Sequence, residues 1–154
     1  FPSRLTTKIS YPKSGLYWAK RHNQEGQVAK KKILIIEDEP DVARLLVIRL
    51  KNSNYDVVTA DSGIQGIQTA HQEKPDLIIL DLMLPAGDGL SVLDNLRMSS
   101  YLRFIPVVVL TGMQDEEYKK KVIAKGVDAY YDKPYDADQL LKTIGILIPS
   151  KLGE

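Results

Sequence analysis

Short apolar runs alternate along this sequence with segments that have the apolar spacing of helices. The apolar runs fall at residues 33–36, 56–60, 77–80, 107–110 and 129–131. Most of them contain no regular polar alternation, which is typical of strands that are buried on both faces of a parallel sheet. The pattern therefore predicts five short parallel strands.

The segments between these runs predict helices. The first segment places four apolar residues on one helical face: Val42, Leu45, Leu46 and Leu50. Pro40 suits the first turn of this helix, and Gly126 lies where a later helix would end. A second helix is predicted near residues 64–71, where Ile64 and Ile67 begin its apolar face, and others near 90–96, 115–125 and 140–148. Five successive strand–helix units predict an α/β fold with a doubly wound parallel sheet of strand order 2-1-3-4-5.

Charge divides the chain into two parts. The 154 residues have a formal net charge of +1, but residues 1–32 carry +7 and residues 33–154 carry −6. We expect a flexible basic flank or linker over 1–31, one domain over 32–148 and a short tail over 149–154. The sequence leaves open whether this domain stands alone or belongs to a larger kinase or regulator.

Composition excludes several kinds of chemistry. The absence of cysteine excludes disulfides, thiolate zinc sites and a cysteine nucleophile, and two histidines are too few for three histidine ligands. No apolar run approaches the roughly 20 residues that span a bilayer, and the first residues do not resemble a signal peptide. We therefore expect no membrane insertion and a cytoplasmic location.

Acidic side chains follow two strands that the predicted order makes neighbours. Glu37 and Asp38 follow the first strand, and Asp81 follows the third. Ligands bind beyond the carboxyl ends of the strands in sheets of this class, so the three carboxylates are expected to meet in one crevice. Because carboxylates this close repel one another unless a cation joins them, and because their oxygens are hard ligands, the crevice suits Mg²⁺.

Two further polar residues end the fourth and fifth strands, namely Thr111 and Lys133. A lysine ammonium and a hydroxyl beside a metal form a cradle for a phosphoryl group. A carboxylate in such a cradle can attack phosphorus and form an aspartyl phosphate. Each residue alone would be interpreted as an ordinary turn, cap or surface residue, so the prediction rests on their combination.

Several motifs together resemble the receiver domain of two-component response regulators, a flavodoxin-like (βα)5 sandwich of the chemotaxis-regulator superfamily. The resemblance covers residues 32–148. Four stretches carry it: ILIIEDEP at 33–40, DLIILDLMLP at 76–85 with GDG at 87–89, PVVVLTG at 106–112 and GVDAYYDKP at 126–134. The successive intervals between Asp38, Asp81, Thr111 and Lys133, which are 43, 30 and 22 residues, are also typical of the family.

The resemblance implies how the acidic residues act. Asp81 matches the phosphoacceptor, which takes a phosphoryl group from phosphohistidine. Asp38 matches a direct Mg²⁺ ligand, Glu37 matches the acid that holds a metal-bound water, and the backbone carbonyl of Met83 matches a further ligand. Mn²⁺ is expected to substitute for Mg²⁺.

The resemblance also implies a conformational switch. Lys133 would bind a phosphoryl oxygen, Thr111 would hydrogen-bond the phosphoryl group, and Tyr130 would swing inward as the switch aromatic. The peptide bond between Lys133 and Pro134 is expected to be cis. A receiver of this kind is a signalling domain rather than an enzyme, since it catalyses only its own phosphotransfer and slow dephosphorylation.

The partners implied by the family are proteins. The phosphoryl donor would be a histidine kinase or a phosphotransfer domain. A downstream protein would bind the surface formed by the fourth helix, the fifth strand and the fifth helix, which carries the basic run Lys119, Lys120 and Lys121. That run would otherwise be a solvated helix face.

Three alternatives belong to other functional classes. A phosphohydrolase of the haloacid dehalogenase class also uses an aspartyl nucleophile, but it needs a second acid two residues further on, where this chain has Met83. A degenerate receiver would bind partners without phosphorylation, yet the full set of site residues is present. The third alternative makes nucleic-acid binding by the basic, aromatic-containing residues 1–32 the main function, which a salt-dependent binding assay would test.

Overall fold

A computed structural model of the chain describes residues 29–84 and 89–149. Five strands lie within these ranges: β1 (Lys32–Ile36), β2 (Asp56–Ala60), β3 (Leu77–Leu80), β4 (Val107–Thr111) and β5 (Ala129–Asp132). Five helices alternate with them: α1 (Pro40–Asn52), α2 (Gly63–Glu73), α3 (Gly89–Met98), α4 (Glu116–Ala124) and α5 (Ala137–Leu147). Every strand and helix predicted from the apolar pattern is therefore present.

The five strands form one parallel sheet in the order β2-β1-β3-β4-β5. Ile35 of β1 pairs with Thr59 on one side and with Ile79 on the other, and Leu80 pairs with Val109. This topology confirms the predicted doubly wound, flavodoxin-like fold. It also brings the carboxyl ends of β1, β3 and β4 side by side, at the edge where the sequence places the acidic residues.

Two apolar clusters cover the two faces of the sheet. In β1, Leu34 and Ile36 belong to the cluster that packs under α2, α3 and α4, while Ile33 and Ile35 belong to the cluster under α1 and α5. All four side chains are almost fully buried, and burying one side chain of this size is worth about 1.5–3 kcal/mol. Burial on both faces explains why the strands appear in the sequence as unbroken apolar runs.

Two apolar residues that the helical spacing placed on buried faces are in fact exposed. Leu45 of α1 is 63% exposed and Ile64 of α2 is 73% exposed. Leu45 lies one residue, or about 100°, around the helix from the buried Leu46, so it falls outside the buried stripe. In α2 the helix comes close to the sheet at Gly66, where a Cβ would lie 2.5 Å from the Ile36 side chain.

The helices begin and end at residues suited to capping. Ser62 Oγ accepts a hydrogen bond from the Gln65 N–H, and Asp115 and Asp136 accept bonds from the first turns of α4 and α5. Gly126, which follows the end of α4, has a φ of +92°, a left-handed conformation that glycine adopts without steric cost. This confirms Gly126 as a helix-ending residue.

The described strands and helices belong to one compact unit. The expected flank over 1–31 and tail over 149–154 lie almost entirely outside the described residues, so these boundaries stay predictions. Within 29–84 and 89–149, no helix combines the length and hydrophobicity that crossing a bilayer requires.

Candidate functional site

The acidic residues that follow β1 and β3 meet at the carboxyl edge of the sheet. One carboxylate oxygen from each of Glu37, Asp38 and Asp81 lies within 4.8 Å of the others. The backbone fixes this arrangement, because the Asp81 N–H donates to the Ile36 carbonyl (3.1 Å) and the Glu37 N–H donates to the Ala60 carbonyl (3.0 Å). The predicted convergence of the three carboxylates is therefore found in the structure.

Lys133, which follows β5, reaches across the sheet edge to two of these carboxylates. Its Nζ donates to Glu37 Oε1 at 3.0 Å and to Asp81 Oδ2 at 3.2 Å. The Lys133 N–H also donates to the Thr111 carbonyl at 2.9 Å, and the peptide bond to Pro134 is cis, as expected from the resemblance. Lys133 therefore connects the ends of the first, third and fourth strands in the chain.

The charges in the crevice do not balance. Burial raises the pKa of Glu37, and the nearby charge of Asp81 adds to the effect, although the hydrogen bond from Lys133 opposes it. For Lys133, burial acts to lower the pKa, but the hydrogen bond to Glu37 and the charge of Asp81 outweigh it and raise the pKa. Lys133 therefore stays charged, and one ammonium faces three carboxylates.

The donor atoms of this cluster fit Mg²⁺. All three side chains offer hard carboxylate oxygens, while the cluster contains no sulfur or imidazole that would favour a softer metal. The uncompensated negative charge left beside Lys133 is what a divalent cation would neutralise. Glu37 and Asp81 are almost fully buried and Asp38 is half-buried, so the cluster opens toward solvent on the side of Asp38.

Thr111 and Met83 flank the cluster. Thr111 ends β4, is fully buried, and accepts a hydrogen bond at Oγ1 from the Met113 N–H (3.2 Å). The Met83 N–H donates to Asp81 Oδ1 (3.0 Å), while the Met83 side chain is exposed. The backbone of Met83 thus lies beside the predicted phosphoacceptor, and the role of its carbonyl stays a prediction.

The two adjacent tyrosines of β5 point to opposite faces of the sheet. Tyr130 packs against the cluster under α4, and its buried hydroxyl has no hydrogen-bond partner among the described residues. Tyr131 lies on the other face, where its hydroxyl hydrogen-bonds to Thr143 of α5. Of the two, Tyr130 is therefore the one on the face covered by α4, the helix that follows Thr111 in the chain, and its role as the switch aromatic stays a prediction.

Two features near the site could not be seen in the sequence. Lys119 of α4 places its Nζ 4.9 Å from the centre of the Tyr130 ring and 4.0 Å from Asp132 Oδ2. A cavity of about 490 Å³ also opens beside Glu37 and Asp38, between α1 and the start of α2. Both features depend on contacts between separate strands and helices, for which a single sequence carries no local signal.

The fold and the site together define a class of protein: a doubly wound α/β domain whose strand ends gather three carboxylates and a lysine. A family model described as the response regulator receiver domain matches residues 33–145. The chain therefore belongs to this family of two-component signalling domains. Receiver domains bind Mg²⁺ at their acidic site and interact with histidine kinases and output domains.

Curated relatives are longer proteins. The chain is 40% identical over 117 residues to the DNA-binding dual master transcriptional regulator RpaA of Synechocystis, covering 76% of this chain and 48% of that protein. It is 42% identical over 106 residues to the alkaline phosphatase synthesis transcriptional regulatory protein PhoP of Bacillus subtilis, covering 68% and 43%. It is also 33% identical over 129 residues to hybrid signal transduction histidine kinase D of Dictyostelium discoideum, covering 84% and 8%. The chain thus spans about half or less of each of these relatives.

Solved structures share the fold. The chemotaxis response regulator CheY4 of Vibrio cholerae superimposes with a TM-score of 0.71 at 28% identity, covering 78% of this chain and all 100% of that one. The receiver domain of a sensor histidine kinase from Pseudomonas aeruginosa, which has a magnesium ion coordinated in its active-site cleft, gives a TM-score of 0.72 at 27% identity and covers 79% and 100%.

Proposed function

We propose that this receiver domain is switched by phosphorylation of Asp81, with the phosphoryl group supplied by a phosphohistidine of a histidine kinase or phosphotransfer domain. The observation that carries the proposal is the contact of Lys133 with both Glu37 and Asp81 at the edge where three carboxylates lie within 4.8 Å. Three crowded carboxylates repel one another and oppose folding unless a cation offsets their charge. The arrangement is therefore best explained as a site for a metal and a phosphoryl group.

The transfer is a displacement at phosphorus. A carboxylate oxygen of Asp81 forms a bond to phosphorus while the bond from phosphorus to the donor imidazole nitrogen breaks, and that nitrogen keeps the electron pair. Glu37, Asp38, Asp81 and the Met83 carbonyl would hold Mg²⁺ or Mn²⁺. When bound, the metal supplies positive charge that offsets the charge of the phosphoryl oxygens.

Lys133 and Thr111 are proposed to bind the phosphoryl group once Asp81 carries it. Lys133 Nζ already donates to Asp81 Oδ2, so a small movement would redirect it to a phosphoryl oxygen. The Thr111 hydroxyl, which now accepts from the Met113 N–H, would donate to the phosphoryl group. Both contacts form only once the group has arrived, so they stabilise the phosphorylated state over the unphosphorylated one.

Tyr130 is proposed to report this change to a partner. Its ring lies between the core and Lys119 of α4, and its hydroxyl is buried without a partner among the residues that the structure describes. Because a buried hydroxyl without a partner is costly, a second position that satisfies this hydroxyl would be favoured, and we propose that Tyr130 moves between two positions. We propose that the face of α4, β5 and α5 carries the result to a downstream protein. Self-catalysed hydrolysis, in which water attacks phosphorus and the Asp81 carboxylate leaves, releases inorganic phosphate and resets the domain.

Intact mass tests the proposal. The protein is incubated with Mg²⁺ and acetyl phosphate, a small acyl phosphate donor, and wild type is expected to gain one phosphoryl group. Asp81→Asn is expected to gain none, whereas Asp61→Asn, which alters an exposed acid at the end of the adjacent β2 strand, is expected to label like wild type. Equal labelling of Asp81→Asn and wild type would refute the assignment.

A further inference from the structure

Three large apolar side chains are exposed at the end of α3 and in the connection that leads from it to β4. Met98 is 83% exposed, Phe104 is 76% exposed and Tyr101 is 56% exposed. Two cations lie against the rings: Lys74 Nζ is 4.7 Å from the centre of Tyr101, and the Arg103 guanidinium carbon is 4.8 Å from the centre of Phe104. We call these five residues the amino-edge surface, because the connection enters β4 at its first residue, at the opposite edge of the sheet from Asp81.

Side-chain hydrogen bonds fix the backbone of the connection that carries this surface. Arg97, at the end of α3, donates to the carbonyls of Arg103 (2.9 Å), Ile105 (3.2 Å) and Gly126 (2.6 Å). Ser99 Oγ accepts from the N–H groups of Tyr101 and Leu102, and the Leu102 side chain is buried. A surface fixed in this way loses little conformational entropy on binding, which favours recognition of a partner.

The charges on this surface are not neutralised locally. Arg97 pairs with Asp128, Lys125 with Asp94, and Lys32 with Glu73. In contrast, Lys74 and Arg103 form no ion pair with any residue in 29–84 or 89–149. Exposed apolar side chains flanked by two unpaired cations are complementary to a segment that carries apolar side chains and carboxylates.

We propose that the amino-edge surface binds an acidic peptide segment with apolar side chains, contributed by a partner protein. A second copy of the chain is a poorer fit, because two such surfaces facing each other would oppose like charges. An anionic bilayer is also a poorer fit. Residues 33–154 carry a net charge of −6, and an extended anionic surface would be repelled by this net charge. A narrow segment would meet only the charges within about 10 Å of it.

The proposed contact is independent of the phosphorylation site. Strand β4 separates this surface from Thr111, and five strand residues span about 16 Å. A partner held here would therefore stay bound whether or not Asp81 is modified, and would keep the receiver near the protein that it controls. Binding is accordingly expected to be the same for wild type and for Asp81→Asn, so this proposal can fail while the proposed function stands, and the reverse.

The test uses the full chain labelled with ¹⁵N and three short synthetic peptides that differ in composition: Glu with Phe and Leu, Lys with Phe and Leu, and Glu with Ser. Only the first peptide is expected to shift the amide resonances of Lys74 and of residues 98–104.

Variants test which side chains bind the peptide. Phe104→Ser should abolish these shifts, and the double variant Lys74→Glu with Arg103→Glu should weaken binding about tenfold or more at low salt. Ile64→Ser, which removes an equally exposed apolar side chain from α2, is the matched control and should bind like wild type.

Several results would overturn the proposal. They are an absence of shifts with the first peptide, equal shifts with the lysine peptide, or shifts confined to other surfaces. Concentration-dependent shifts of the same amides without peptide would assign the surface to a second copy. Loss of those resonances with phosphatidylglycerol vesicles but not with the first peptide would assign it to a membrane.

Discussion

Acidic residues stand at both edges of the sheet, and the two edges use them differently. At the amino edge, Asp76 accepts a hydrogen bond from the Lys32 N–H (2.7 Å) and Asp128 accepts one from the Val107 N–H (2.9 Å). Each of these carboxylates satisfies the N–H group of the first residue of a strand. At the carboxyl edge, three carboxylates are gathered around a single lysine.

The difference shows how one residue type serves stability at one edge and function at the other. An aspartate whose oxygens bind backbone N–H groups and a neighbouring cation lowers the energy of the folded chain. A carboxylate crowded by others raises that energy, and it persists only because the surrounding fold holds it in place. The site is thus the place where folding is opposed and a cation is needed.

The largest effect is expected for Lys133→Ala at the carboxyl edge. Loss of the ammonium that contacts both Glu37 and Asp81 removes positive charge from the position where charge builds up on the transferred group. We expect the rate of phosphorylation by acetyl phosphate to fall by about 100-fold or more. Lys119→Ala, which removes a partly exposed lysine of α4, is the control and should stay within about threefold of wild type; equal losses in both variants would contradict the role of Lys133.

Arg97→Ala tests the amino edge. This change removes donors to three carbonyls and the partner of Asp128, so the free energy of unfolding should fall by about 2–3 kcal/mol. Urea denaturation measures the loss. Phosphorylation of the folded variant by acetyl phosphate should be nearly unchanged, and a large loss of labelling would mean that the two edges are not separate in function.

Asp38→Asn should raise the free energy of unfolding, whereas Arg97→Ala lowers it. Removing one of three crowded carboxylates relieves repulsion, so the free energy of unfolding without metal should rise by about 0.5–1 kcal/mol. Adding Mg²⁺ at ten times its Kd should stabilise wild type by about 1.4 kcal/mol and the variant by much less. Asp76→Asn is the matched change at the amino edge and is expected to destabilise instead; stabilisation by both changes would remove the contrast between the edges.

The smallest effect is a pH dependence that Glu37 contributes. Burial raises its pKa above the ordinary 4.5, so the folded protein binds this proton more tightly than the unfolded chain does. The contribution of Glu37 to stability is therefore greatest below pH 4.5 and falls as pH rises through the raised pKa. In metal-free buffer, the difference between wild type and Glu37→Gln in unfolding free energy should follow this fall, and a difference that rises with pH would show that the pKa is lowered.

Much of the fold and the site could be predicted from the sequence because the signals are local. The unbroken apolar runs indicate a parallel sheet, and the strand order expected for such a sheet brings Glu37, Asp38 and Asp81 to one edge. The prediction of buried helix residues is wrong where burial depends on how a helix packs against the sheet. Leu45 and Ile64 have the right spacing for a buried face, but both are exposed, and α2 packs close to the sheet at Gly66 instead.

The amino edge was not predicted at all. Arg97 binds carbonyls that are 6, 8 and 29 residues away, and the exposure of Tyr101 and Phe104 is known only once Leu102 is seen to turn inward. The same limit applies to Lys119 and Tyr130, since a contact between α4 and β5 has no signature within either segment. Long-range side-chain contacts therefore mark the boundary of what this sequence could predict.

The most direct test of the central claim is to locate the phosphoryl group. Wild-type protein is phosphorylated with acetyl phosphate and Mg²⁺ and then reduced with borohydride, which converts an aspartyl phosphate to homoserine, and fragments are sequenced by mass spectrometry. Homoserine is expected at position 81 and at no other acidic position. Modification at Glu37, Asp38 or Asp132 with Asp81 intact would contradict it.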